Sequence, residues 1–265
     1  MNRKKILFMG RKPVAANCLR YLSQREDVDI VGVLTDSHLA ISPTTQVAKE
    51  RGIEIYDFDS ALEKIDAGLL NFDLGISMLY WRKLRGSFIS TPKCGIINFH
   101  PAPLPQYKGT AGYNLAILDG CEQWATTAHY VDESIDTGEI LEVCHFPIDP
   151  KKETAQSIER LSQKALENQF KRIVDRAISF KGLLPTTPNV GGRYVSRSEM
   201  EAMKEIKPGD DVARKIRAFW FPPYDGAYIT IDGNKYTLVD RFILDQLIDG
   251  TSSSLFTPNS DDKNL

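Results

Sequence analysis

Paired cysteines, a basic excess and long apolar runs are all missing from this 265-residue chain, and each shortage removes a class of protein. Its four cysteines, Cys18, Cys94, Cys121 and Cys144, form no C-x-x-C pair. Isolated thiols in largely apolar segments read as structural, in a reduced, cytoplasmic setting. No Cys or His pair stands at ligand spacing, so no metal is expected. A net charge of −2 argues against broad affinity for nucleic acid or anionic membranes, and neither is expected as a partner. The N-terminal run KILFMG is interrupted by Arg11 and Lys12, too soon for a signal segment or a membrane span. It reads as a first strand. The following FMGRKP lacks the G-x-G-x-x-G fingerprint, so neither NAD nor FAD is implied, and Asp36 loses its meaning as a ribose ligand.

What is present is an ordinary globular composition, 42% hydrophobic and 26% charged, in a chain long enough to bury a core without staples. KILFM (5–9), DIVGVLTD (29–36), IEIYDF (53–58), DLGISML (73–79) and GIINFH (95–100) are near-continuous apolar runs alternating with helical stretches. That pattern predicts strands covered on both faces: an α/β, Rossmann-like, doubly wound and mostly parallel sheet. GTAGYNLAILDG reads as a helix stopped by Gly120, and ATTAHYVD (125–132) with GEILEVCHF (138–146) as paired strands. Ile158, Leu161, Ala165, Phe170, Ile173, Val174, Ala177 and Ile178 recur at helical spacing in one long amphipathic helix ending near Gly182. Residues 1–182 are assigned to a catalytic domain and 183–249 to a small C-terminal α+β subdomain. In the latter, LLPTTPNVGGRYVS is a Pro- and Gly-rich loop, DDVARKIRAF a short helix, and GAYITIDGNKYTLVDRFIL a hairpin turning at Asp232-Gly233. The polar tail 250–265 is expected to be disordered.

The stretch GIINFHPAPLPQYKG ends a buried strand on Asn98 and His100, two residues apart. In extended chain such residues project to one side, and Pro101 keeps His100 out of helical geometry. Open parallel sheets bind ligands beyond the carboxyl ends of their strands. An amide donor and an imidazole there suit acyl transfer, one for a developing oxyanion and one for a proton. A strand-end pair that only caps the following loop fits the same spacing. Asp136, in ESIDTGEIL, is open to two readings as well: a turn residue bonding its own backbone, or a carboxylate that orients His100. His129 and His145 read as strand residues that pack or hydrogen bond.

The run NFHPAPLPQYKG, joined at its proper distance to HYVDESIDTGEIL, resembles the folate-dependent formyltransferase family. That family includes methionyl-tRNA, glycinamide ribonucleotide and sugar-nucleotide N-formyltransferases. The likeness covers about residues 1–182 and continues more weakly into IRAFWFPPYDGAYITIDGNKYTL. Two departures, Pro103 for a more usual Ser or Leu and Lys108 for Arg, leave the Asn, His and Asp positions intact. The resemblance implies formyl transfer from 10-formyltetrahydrofolate to a primary amine. Asn98 and His100 would stabilise the oxyanion, and Asp136 would hold His100 and assist removal of the amine proton. The amine must be neutral to attack, so activity should fall at low pH. Donor contacts are implied, largely through backbone, at Met78, Tyr80, Leu84, Val131 and Asp132. Those side chains read equally as core or loop residues.

The short C-terminal part, ending in a polar tail, and the slightly negative net charge argue against a tRNA substrate, whose phosphates demand many cations. The FWFPPYDGAY stretch looks like the segment that sugar N-formyltransferases carry after their catalytic domain. The expected acceptor is therefore a nucleotide-linked amino sugar, such as a 4-amino-4,6-dideoxyhexose on GDP, dTDP or UDP. Such a sugar would be destined for a surface polysaccharide such as a lipopolysaccharide O-antigen. Arg11, Lys12 and Lys108 are the candidate cations for its diphosphate, with Gly109 and Tyr224 lining the acceptor's path. Phe219, Trp220, Phe221 and Tyr224 could stack a base, fill a core or pack a dimer interface. Family resemblance favours a homodimer.

Overall fold

Strand β1 (Lys4–Gly10) is apolar without alternation because both its faces are covered. Ile6 and Phe8 enter one core and Leu7 and Met9 another, as the two-residue period of extended chain requires. The computed structural model describes residues 3–35 and 42–249. Asp36 and the tail 250–265 lie outside those residues.

After β1 come α1 (Lys12–Ser23), β2 (Val28–Leu34), α2 (Pro43–Glu50), β3 (Ile55–Tyr56), α3 (Phe58–Asp66), β4 (Leu74–Met78) and α4 (Ser87–Ser90). Then follow β5 (Ile96–His100), β6 (Tyr107–Gly109), α5 (Gly112–Leu118), β7 (Gln123–Tyr130), β8 (Ile140–Pro147) and α6 (Ala155–Ser179). The C-terminal part holds β9 (Arg193–Val195), α7 (Arg197–Ala202), α8 (Val212–Phe219), β10 (Tyr228–Ile231), β11 (Asn234–Thr237) and α9 (Arg241–Asp249). Seven strands form one sheet in the order β3-β2-β1-β4-β5-β7-β8. The first five run parallel, and β7 and β8 are antiparallel to their neighbours. The chain is thus a mostly parallel sheet flanked by helices, with a small C-terminal appendage.

Helices α1 and α6 cover one face and α3 and α4 the other. On β5, Ile97 and Phe99 turn toward α6, where the Phe99 and Phe170 rings lie 5.3 Å apart. Ile96, Asn98 and His100 consequently share the opposite face. Removing the buried Phe170 ring would cost about 3–5 kcal/mol and loosen the strand that carries the polar pair. Helix α6 starts at a reciprocal cap, Thr154 Oγ1 accepting from Ser157 N while Ser157 Oγ accepts from Thr154 N.

Three expectations change. The run 53–58 yields only a two-residue strand, because Asp57 caps α3 through the N–H groups of Asp59 and Ser60. The loop 183–196 contains β9, which pairs in parallel with β6. The hairpin turns at Asp232-Gly233 with φ of 49° and 78°, the left-handed pair a two-residue turn demands, but Arg241 onward is helix rather than strand. Among the described residues, no helix is long and apolar enough to cross a membrane, and no group of three or more His, Cys, Asp or Glu could hold a metal.

Candidate active site

The sheet changes from parallel to antiparallel at β5, and that junction gathers the polar residues. Asn98 and His129 are register partners across β5 and β7, and Ser77 stands beside Asn98 on β4. Ser77 Oγ donates to Asn98 Oδ1 at 2.7 Å. Asn98 Nδ2 lies 3.0 Å from His129 Nε2, and His129 Nδ1 lies 2.6 Å from the Tyr130 carbonyl oxygen. A carbonyl only accepts, so His129 carries its hydrogen on Nδ1 and accepts from Asn98 at Nε2. This relay fixes which way the Asn98 amide points. One amide hydrogen is committed to His129, and the other remains to donate to a ligand.

His100 is held by the same logic. Its Nε2 lies 2.9 Å from the Tyr107 carbonyl oxygen on β6, which places the hydrogen there and leaves Nδ1 as the proton-exchanging atom. Nδ1 lies 3.5 Å from Asp136 Oδ2, while Asp136 Oδ1 lies 3.6 Å from His129 Nε2. The Gly109 N–H donates to Asp136 Oδ2 at 2.9 Å. His100 is only 6% exposed. Burial pushes its imidazole below the ordinary value, further than the Asp136 charge pushes it back. Burial alone would raise the Asp136 carboxyl, but the His100 charge and the Gly109 N–H outweigh it and hold Asp136 well below the usual carboxylate range. An ionised carboxylate thus faces a neutral imidazole at pH 7, and any proton His100 takes up is stabilised by its neighbour.

A cleft of about 920 Å³ opens over these groups. Arg11, Lys12, Tyr80, Asn98, His100, Gly109, Asp136 and Tyr224 all line it. Asp136 sits in left-handed backbone with φ of 56°, as do Lys12 at 70° and Leu79 at 54° on the same cleft. Such conformations cost on the order of 1–3 kcal/mol each and collect where a site needs them.

Not every expected residue lines this cleft with its side chain. Lys108 does not line this cleft but a neighbouring groove with Lys83 and Ser134. That groove adjoins the cleft, sharing Ile135 and Tyr194 with it. Lys12 is itself ion-paired with Glu159, which is 9% exposed, and it also lies over the Phe221 ring. Gly109 acts through its N–H on Asp136. Met78 and Leu84 are buried in opposite cores, and Val131 packs beside Leu84. The Asp132 carboxylate is spent on its own turn, accepting from Ser134 N and Thr137 Oγ1. Of the aromatic cluster, Phe219 is core, whereas Phe221 and Tyr224 face the cleft with ring centroids 5.9 Å apart.

Sequence reading missed three groups. His129 looked like a packing residue, and only the β5–β7 register sets it against Asn98. Arg197 and Lys204, from the C-terminal part, also line the cleft. Lys204 is 6% exposed, and its Nζ is ion-paired with Glu201 Oε2 at 2.7 Å.

The sequence profile described as formyl transferase matches residues 4–174. A methionyl-tRNA formyltransferase from Listeria innocua is 27% identical over 269 residues, covering 97% of this chain and 85% of its own. One from Clostridioides difficile reaches 34% over 148 residues, 52% of this chain and 48% of its own. Among solved structures, a 4-N formyltransferase from Francisella tularensis has a TM-score of 0.74 at 22% identity, covering 89% of this chain and 96% of that one. An N-formyltransferase from Helicobacter canadensis, in complex with folinic acid and dTDP-3-aminofucose, has a TM-score of 0.71 at 23% identity, covering 88% and 86%. At these identities the structural likeness speaks to fold.

Proposed function

The chain belongs to the formyl transferase family, and from that premise we propose that it moves the formyl group of 10-formyltetrahydrofolate to the amine of a nucleotide-linked amino sugar. The observation that carries the reading is the joined set Asn98, His100 and Asp136 facing one cleft, with an ionised carboxylate beside a neutral imidazole. The neutral amine attacks the formyl carbon, and the carbonyl electron pair moves to oxygen. That oxyanion is stabilised by the free hydrogen of the Asn98 amide. His100 Nδ1 accepts the proton released by the amine, and the imidazolium is held by Asp136. The proton then passes to the folate nitrogen as its bond to the formyl carbon breaks.

The donor fits the wall formed by Tyr80, Trp81 and Ile135, backed by Leu84 and Val131. The acceptor is assigned to the rest of the cleft, where Arg197 and Lys204 are cations and Phe221 and Tyr224 offer ring faces, with Arg11 beside the Leu79 carbonyl that its Nε bonds at 3.2 Å. A diphosphate between sugar and base matches that combination. The folinic acid and dTDP-sugar bound by the Helicobacter canadensis protein support the same pairing. A 4-amino-4,6-dideoxyhexose is the proposed sugar, made for a surface polysaccharide, and the proposed assembly is a homodimer. Met-tRNA formyltransferases among the sequence relatives favour a second acceptor, initiator methionyl-tRNA. The net charge of −2 weighs against it.

The test is incubation with 10-formyltetrahydrofolate and a panel of GDP-, dTDP- and UDP-linked amino sugars. Mass spectrometry should find one formyl group added to a member of the panel. Formylation of charged initiator tRNA alone would overturn the sugar assignment.

A further inference from the structure

The segment after α6, read from sequence as a loop between two units, returns to the active site and touches both halves of it. Thr187 bridges Ile140 at the start of β8, with N to O distances of 2.8 and 2.9 Å. Two residues on, Asn189 Nδ2 donates to the Asp136 carbonyl at 3.0 Å and to the Gly138 carbonyl at 2.8 Å. Gly192 then packs so tightly on the chain that a Cβ there would fall 1.5 Å from the Pro105 carbonyl oxygen. Finally β9 pairs with β6, matching Tyr107 to Arg193 and Gly109 to Val195. Strand β6 supplies the carbonyl that holds His100 and the N–H that holds Asp136. The segment therefore binds the Asp136 turn at one end and the strand facing it at the other.

Asp136 needs such a fixture. Its left-handed backbone is unfavourable for a residue with a Cβ, and the carbonyls on either side of Thr137 must be satisfied in that geometry. A single side-chain amide bonds both. We infer that Asn189 is a positioning residue for the reaction, setting the backbone of Asp136 so that its carboxylate meets His100. The inference rests on the reading of Asp136 as the group that holds His100. It adds that the residues just beyond the long helix belong to the catalytic apparatus.

The variants Asn189→Leu and Asn189→Asp keep the size and remove the donors. Asn189→Gln keeps a donor. Histidine resonances followed by NMR from neutral to acid pH need no acceptor. The titratable groups facing His100 are Asp136 and His129. With Asp136 drawn back, the His100 pKa should fall below its wild-type value in the Leu variant, which adds no charge, and recover toward it in the Gln variant. Turnover with whichever panel sugar is formylated should drop about tenfold or more in kcat, with both KM values within about twofold. A wild-type His100 titration in folded Asn189→Leu, with wild-type kcat in it and in Asn189→Asp, would overturn the inference. Asp136→Asn separates the two ideas. Retained turnover in that variant removes the role of Asp136 itself, whereas its loss beside an unaffected Asn189 series removes only the role of Asn189.

Discussion

Asn98 and His129 face each other across the one antiparallel seam of β5, amide nitrogen to imidazole nitrogen at 3.0 Å. His129 thereby decides the orientation of a donor that is aimed at the reacting oxygen. His129→Phe should leave the strand pairing intact and release the Asn98 amide. The expected result is a kcat lower by about tenfold or more at nearly unchanged KM, since small misplacements of a catalytic group are costly. Steady-state kinetics, with thermal unfolding as a check on the fold, measure it.

Asn98→Ala and His100→Ala remove the oxyanion donor and the proton acceptor. Each should lower kcat by roughly 100- to 1,000-fold. His100 ends β5 and the Asn98 side chain also lines the cleft, so circular dichroism should find the variants folded. Loss of folding in either would mean the pair is architectural.

His100 also links stability to pH. Its folded-state pKa is lowered from the ordinary 6.5, so its contribution is complete above that value and is lost as pH falls through the folded value. Asp136 is lowered too, from 3.8, so its share is lost only in much stronger acid. Urea midpoints measured from neutral pH down to about 5 should fall for the wild type. In His100→Gln the fall should be shallower, and equal slopes would remove the assignment.

Lys204 stands in the cleft, ion-paired with the half-exposed Glu201. Lys204→Met should raise KM for the nucleotide-sugar acceptor by about tenfold, the scale of one hydrogen bond to a charged group, and leave KM for the folate donor unchanged. An equal change in both constants would place Lys204 outside acceptor recognition.

Much of this was legible before any coordinates. The unbroken apolar runs of β1, β4 and β5 announce strands covered on both faces, and the two-residue spacing of Asn98 and His100 puts them on one side. What stayed hidden depends on chain segments far apart in sequence. His129 joins the site through the β5–β7 register, a pairing of two strands separated by β6 and α5 in the chain, rather than through local pattern. Strand β9 is three residues long, too short for any periodicity to declare it. The role of Gly109 is hidden for another reason: a glycine offers no side chain to read, and it meets Asp136 through its backbone N–H.

The pairing of β9 with β6 carries a lesson for anyone cutting the gene. A fragment ending at Gly182 would retain every acid, base and amide named as reactive, and would still lack the backbone partner of the strand that restrains two of them. A piece that keeps this restraint must extend at least through Val195, and one ending at Gly182 should turn over far more slowly than the whole chain.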